Sequence, residues 1–181
     1  MMNILTLDFQ QDHFQLFNLP SLFKIDSAAL ERSFLELQAQ VHPDKFAHLS
    51  EAERRLSMQW ATRVNEGYQT LRNPQSRARY LLSLHGVDTQ EESNTAMPTD
   101  FLMQQMEWRE ALEAARQAKD NSALEELEQR MQHEVRNLQQ QLAIDMDETR
   151  DYTAASGIVR KLRFLEKLAE EIGSAFDELD S

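Results

Sequence analysis

Two apolar stripes at helical spacing, separated by a single proline, restrict this chain more than any other feature. Leu30, Phe34, Leu37 and Val41 recur at helical intervals, with Asp26 placed as an N-cap. Leu56, Trp60, Val64, Tyr68 and Leu71 repeat the pattern, entered through Ser50-x-x-Glu53, the pattern of a capping box. Between them stands Val41-His42-Pro43-Asp44-Lys45-Phe46. Pro43 biases His42 away from helical dihedrals, so the first helix is expected to end near Val41. Two amphipathic helices joined by a short polar loop bury their stripes by folding back antiparallel. The loop then lies at the exposed tip of a hairpin, a position suited to recognition residues held on a rigid scaffold.

The flanking segments extend the helical reading. Asp12 to Asn18 reads as a short helix closed by Pro20, with Phe14 and Phe17 as anchors packing across the hairpin. Pro74 suits the first position of a further helix, where its missing donor costs nothing. That helix carries Ala78, Leu81, Leu82 and Leu84 and meets a C-terminal cap at Gly86. Residues 87–98 are polar and acidic without a sustained apolar period and read as a linker. Beyond it three helices are expected. The first runs from about Thr99 to Lys119. The second starts near Asn121, with Ser122-x-x-Glu125 as a capping box and Leu124, Leu127, Met131, Val135, Leu138 and Leu142 as its stripe. The third starts near Thr149 and carries Tyr152, Ala155, Val159, Leu162, Leu165 and Ile172. Breaks near Asp120 and Met146 favour an antiparallel three-helix bundle over one long coiled coil. The fold class is therefore all-α, a helical hairpin with short flanking helices followed by a three-helix bundle.

Composition narrows the function. The 181 residues contain 4 Gly, 4 Pro and no cysteine, which excludes disulfides and any thiolate-held zinc or iron–sulfur site in this chain. The net charge of −12 is uneven: residues 1–84 carry 9 basic and 9 acidic residues, residues 85–181 carry 10 and 22. An acidic second half argues against phosphate neutralisation and hence against nucleic-acid binding. No apolar run approaches a membrane span, and the start lacks a signal or transit pattern, so the cytoplasm is expected. His42, Asp44 and His48 raise the alternative of a metal-dependent enzyme. They lack a neighbouring nucleophile, a third ligand at helical spacing and a glycine-rich phosphate loop. His85 and His133 read as ordinary surface or partly buried histidines.

His42-Pro43-Asp44 between two such helices, with Asn73-Pro74 opening another, resembles the signature of the J-domain, the module that activates DnaK-type chaperone ATPases. The resemblance extends to the HscB family, the J-proteins of iron–sulfur cluster assembly. It is carried by His13-Phe14-x-Leu16-Phe17-x-Leu19-Pro20, His42-Pro43-Asp44-Lys45-Phe46, Ala78-x-Tyr80-Leu81-Leu82-Ser83-Leu84-His85-Gly86, Phe101-Leu102-Met103 and Arg160-Lys161-Leu162-Arg163-Phe164-Leu165. These motifs run along nearly the whole chain. The resemblance implies a J-domain over 12–86, a linker over 87–98 and a scaffold-binding bundle over 99–181. Residues 1–11 then read as an extension or loose segment.

The resemblance also implies partners and roles. His42, Pro43, Asp44, Lys45 and Arg32 would contact a DnaK-like chaperone of the HscA type. The basic face usual on that helix is thin here: Leu35 and Glu36 stand where lysine and arginine are common, with Gln38 and Gln40 following. Lys45, Arg54 and Arg55 supply charge from the loop and the next helix, which fits a dedicated J-protein with one matched chaperone. At about 100° per residue, Phe101, Trp108, Leu112 and Ala115 share one arc of their helix, whereas Leu102, Met103 and Met106 point away from it beside Glu107 and Glu110. On the last helix Phe164 is expected on the far side from Ala155, Ile158, Val159, Leu162 and Leu165, near Arg160 and Lys167. Apolar side chains clustered off a core face suggest a binding patch, and a cover for a domain interface is the competing reading. By the resemblance, Leu102, Met103, Met106, Glu107, Glu110 and Phe164 match the family's face for the iron–sulfur scaffold protein, of the IscU type. Met106 stands where leucine is familiar, and Ala114 where an acidic residue occurs. The function so implied is a co-chaperone that stimulates its partner's ATPase and delivers the scaffold to it, or in the alternative another client. No active site, metal or cofactor of its own is expected, since ATP and cluster belong to the partners.

Overall fold

The computed structural model describes residues 7–181. The described chain is all-α, with seven helices: α1 His13–Leu16, α2 Ser27–Val41, α3 Glu51–Arg72, α4 Pro74–Leu84, α5 Thr99–Ala118, α6 Asn121–Ala143 and α7 Tyr152–Asp180. It divides into two compact units, one ending at Leu84 and the other beginning at His85.

In the first unit α2 and α3 form the hairpin. Asp26 caps α2 by accepting from the Ala28 and Ala29 amides, and Ser50 and Glu53 form the expected capping box of α3. Leu30, Leu37 and Val41 are buried with Trp60, Val64 and Leu71. Burying each such side chain contributes about 1.5–3 kcal/mol before chain entropy is set against it. Phe34 and Tyr68 lie at the edge of the stripe, half-buried, and stack at 4.0 Å. Helix α1 is capped by Asp12 and Gln15 and drives Phe14 and Phe17 into the core. It packs so closely on α3 that a Cβ at Gly67 would stand 2.9 Å from the Phe17 ring and 3.0 Å from His13 Nδ1. Gly67 is the residue that admits α1. Asn73 ends α3, and its side chain accepts from the Gln75 and Ser76 amides at the start of α4.

Leu84 is exposed rather than part of the core, because it falls in the last turn of α4, outside the Ala78, Leu81, Leu82 face. The described part of the segment before α1 makes two contacts with α3. Phe9 stacks on the buried Trp60 at 4.0 Å, and the Gln11 carbonyl accepts from the Arg63 guanidinium. Residues 1–6 of the expected extension lie outside the described residues.

The second unit is an antiparallel arrangement of α5, α6 and α7. Phe101, Trp108, Leu112 and Ala115 of α5 meet Leu124, Leu127, Met131, Leu138 and Leu142 of α6 in a common buried layer with α7. Lys119 takes a left-handed backbone (φ 51°) that stops α5. Asp120 rather than Ser122 then caps α6, accepting from the Ala123 amide at 3.1 Å, so the Ser122–Glu125 box does not form. The reversal puts the capping position two residues earlier than the motif suggests. The break near Met146 is a π-helical turn, Ile144–Glu148, that buries Asp145 and Met146. Helix α7 accordingly starts at Tyr152, capped by Asp151, and not near Thr149. Residues 87–98 carry no helix, yet they are fastened to α7. The Arg160 guanidinium donates to the Thr89 carbonyl at 3.1 Å and Arg163 pairs with Glu92 at 3.2 Å. Thr89 itself is buried. No helix of the described residues is long and apolar enough to cross a membrane.

Candidate functional site

The loop between α2 and α3 is a single 3-10 turn, Pro43–Phe46, with no buried residue. It forms because Pro43 carries no N–H to extend the helical ladder and disfavours helical dihedrals at His42, so the α-helix ends at Val41. His42 has extended backbone (φ −59°, ψ 129°) and caps the turn, its Nδ1 accepting from the Asp44 amide at 3.3 Å. The Lys45 amide donates to the His42 carbonyl at 3.0 Å. Asp44 Oδ2 stands 3.6 Å from His42 Nδ1, and both side chains are open to solvent. His42, Pro43, Asp44 and Lys45 therefore share one exposed turn, with imidazole and carboxylate side by side. His48, two residues beyond Phe46, is also exposed, and no group of three or more His, Cys, Asp or Glu among the described residues is placed to hold a metal ion. Arg32 is exposed on α2, with Leu35, one turn further on, 56% exposed.

Two residues escaped the sequence reading. Ser57, in the middle of α3, is buried and donates from Oγ to the Val41 carbonyl at 2.8 Å. Arg77 of α4 is buried too, with Nε on the Phe23 carbonyl at 2.6 Å and Nη1 on the Leu71 carbonyl at 2.8 Å. Both donate to main-chain carbonyls at helix ends or in a loop. The only signal for Ser57 was a small polar residue beside an apolar stripe, which sequence alone does not distinguish from a surface serine.

The apolar face of α5 is open as expected. Leu102, Met103 and Met106 are 42, 58 and 63% exposed, and Glu107 and Glu110 beside them are exposed as well. Phe164 differs from its expectation. It is half-buried, its ring edge-on to the buried Phe101 at 6.4 Å between centroids. The core stripe of α7 runs Val159, Leu162, Leu165, Leu168, Ile172, Ala175, mostly at intervals of three. A stripe with a period below 3.6 drifts around the helix, and it brings Phe164 to the α5 side of the bundle. Phe164 is thus placed where α5 and α7 meet, rather than opposite the core. Lys161 lies over the Phe101 ring at 5.5 Å, and Arg109 pairs with both carboxylate oxygens of Glu171 at 2.7 and 2.8 Å across the same seam. On the other flank of α5 a cleft of about 510 Å³ is lined by Trp108, Glu126, Arg130, His133 and neighbours. None of the expected site residues lines it.

Comparison with known proteins bears on both regions. The family described as "HSCB C-terminal oligomerisation domain" matches residues 97–173, which include the α5 face and Phe164. The chain is 52% identical over 177 residues to a co-chaperone protein HscB homolog of Aromatoleum aromaticum, covering 98% of this chain and all of that protein. It is 56% identical over 172 residues to the homolog of Chromobacterium violaceum, covering 95% and 97%. Among solved structures it resembles chaperone HscB from Vibrio cholerae, with a TM-score of 0.82, 36% identity and coverage of 93% and 99%. It also resembles human co-chaperone protein HscB, with a TM-score of 0.86, 32% identity and coverage of 92% and 83%. Identity above one half along almost the entire length, on the same all-helical fold, makes this chain a member of the HscB family of co-chaperones.

Proposed function

We propose that the protein stimulates the ATPase of a DnaK-like chaperone of the HscA type and delivers to it an iron–sulfur cluster scaffold of the IscU type. The J-domain of this reading is residues 12–86, the linker 87–98 and the scaffold-binding bundle 99–181. His42, Pro43, Asp44 and Lys45, with Arg32, contact the chaperone. Leu102, Met103, Met106, Glu107, Glu110 and Phe164 hold the scaffold. The observation that carries it is the solvent-exposed histidine–proline–aspartate turn at the tip of a hairpin closed by buried apolar residues. A rigid support with a small exposed polar tip suits recognition of a larger partner, since little order is lost on binding.

The α5 face supplies the second half. Three apolar side chains exposed together, flanked by two carboxylates, fit a partner offering an apolar patch with basic groups at its rim. With both partners engaged, hydrolysis in the chaperone would trap the scaffold there and favour cluster transfer. The co-chaperone takes no chemical step itself and acts in the cytoplasm.

The test is the ATPase rate of an HscA-type chaperone with this protein alone and with an IscU-type scaffold added. The expected result is stimulation by the protein alone and a further rise with the scaffold. Stimulation that is indifferent to the scaffold, together with no binding between scaffold and this chain, would point to a different client.

A further inference from the structure

The exposed turn is held from below by one buried hydroxyl. Helix α2 ends at Val41, whose side chain is buried and whose carbonyl would, in a continuing α-helix, accept from the Lys45 amide. That amide is instead committed to the His42 carbonyl at 3.0 Å. The Val41 carbonyl is filled from the facing helix by Ser57 Oγ at 2.8 Å. Ser57 is 0% exposed, so neither it nor its acceptor has water to turn to.

We propose that Ser57 is a positioning residue for the His42–Pro43–Asp44 turn, acting through the Val41 carbonyl to hold the turn in its signalling conformation. The inference rests on the reading of this turn as the chaperone-activating element. The physical reason is a competition for one amide. With Ser57 present, the Val41 carbonyl is satisfied, and the Lys45 N–H is free to close the 3-10 turn on His42. Without the hydroxyl, the buried carbonyl lacks a donor, and the Lys45 N–H is the main-chain donor whose spacing suits it. Meeting that demand would unwind the His42–Lys45 bond, and with it the placement of His42 Nδ1 under the Asp44 amide. Ser57 touches no partner and needs none; its effect is on which backbone register the exposed residues occupy.

The experiment uses the full chain and an HscA-type chaperone, with four variants beside the wild type. Ser57→Ala removes the donor, Ser57→Thr keeps a hydroxyl, and Val64→Ala weakens the same helix at a buried apolar position remote from the loop. His42→Gln controls for the underlying reading. Maximal ATPase stimulation at saturating co-chaperone is measured well below each variant's melting temperature, alongside the amide signals of Asp44 and Lys45. Ser57→Ala is expected to lose about tenfold in maximal stimulation, the population shift that an unfilled buried acceptor can drive, with both amide signals shifted. Ser57→Thr should restore most of it, and Val64→Ala should stimulate normally despite its lower stability. Full stimulation by Ser57→Ala, or an equal loss in Val64→Ala, would overturn the proposal. Full stimulation by His42→Gln would instead remove the reading on which it rests. If Ser57→Ala does not fold, Ser57→Cys, similar in bulk but a poor donor, carries the test. An intermediate loss supports the proposal, and wild-type stimulation overturns it.

Discussion

The tip loop of the first unit and the apolar face of α5 differ in what holds their side chains in place. The loop buries none of its residues, and its shape comes from a proline, two short-range bonds from the Asp44 and Lys45 amides to the side chain and carbonyl of His42, and a serine reaching up from α3. The α5 face is the reverse side of a helix whose other side is core, and Phe164 belongs partly to both. On the proposed function, recognition on the loop would be separable from stability, whereas at the α5–α7 seam the two would be coupled. The difference decides which substitutions report cleanly on function.

The sharpest break of that comparison is at the loop. His42→Gln or Asp44→Asn is expected to reduce chaperone stimulation to background, with unchanged scaffold binding. Because these side chains are exposed, the stability change should stay below about 1 kcal/mol in a denaturant titration. A larger loss would mean that the loop supports the hairpin. Next in size is the core of the bundle. Leu112→Ala or Leu162→Ala should cost about 2–5 kcal/mol through the cavity left behind, and lower scaffold binding only when the unit unfolds.

Smaller effects separate the members of the α5 face. Leu102→Ala and Met106→Ala should each weaken scaffold binding by about 1 kcal/mol or more while leaving the melting temperature near wild type. Phe164→Ala should lower both, since it also gives up an edge-to-face contact with Phe101 worth about 0.5–1.5 kcal/mol. Calorimetric binding and thermal melts on the three variants check this. If Leu102→Ala and Met106→Ala lowered the melting temperature as much as Leu112→Ala, the face would be core and not a docking surface.

The smallest expected effect is on pH dependence and belongs to the first unit. Burial beside α3, then the Arg63 charge, holds the His13 pKa below 6.5. The unfolded chain therefore takes up a proton near pH 6.5 that the folded chain resists. Stability from this group is fully present above that value and is lost as pH falls from about 6.5 toward the lower folded pKa. His13→Gln should flatten the part of the stability profile due to this group as pH falls below about 6.5, read in denaturant titrations across that range. An unchanged slope in the variant would show that another group sets it.

Much of this was legible in the sequence, for reasons that differ by region. Pro43 and the spacing of Leu30, Leu37, Trp60 and Val64 specify the hairpin locally, so α2 ends at Val41 as expected. Phe101, Trp108, Leu112 and Ala115 likewise fall on one buried arc of α5. What was not legible depends on tertiary geometry. Ser57 looks like a surface serine until the Val41 carbonyl is placed opposite it. Phe164 looks like an outward residue until the drift of the α7 stripe is followed over its 29 residues. The cap of α6 moved to Asp120 because the left-handed Lys119 sets where the helix can begin. The polar composition of 87–98 gave no hint that Arg160 and Arg163 would fasten it to α7.

The separation of the two sites is the central claim, and one assay addresses it directly. ATPase stimulation of an HscA-type chaperone is measured against scaffold concentration for the wild type, His42→Gln, and Leu102→Ala combined with Met106→Ala. The account predicts no stimulation at any scaffold concentration for His42→Gln. It predicts normal scaffold-free stimulation for the double variant, with its scaffold-dependent rise displaced to about thirtyfold higher concentration, two truncations of about 1 kcal/mol each. A double variant that lost its scaffold-free stimulation, or a His42→Gln variant that kept the scaffold-dependent rise, would contradict it.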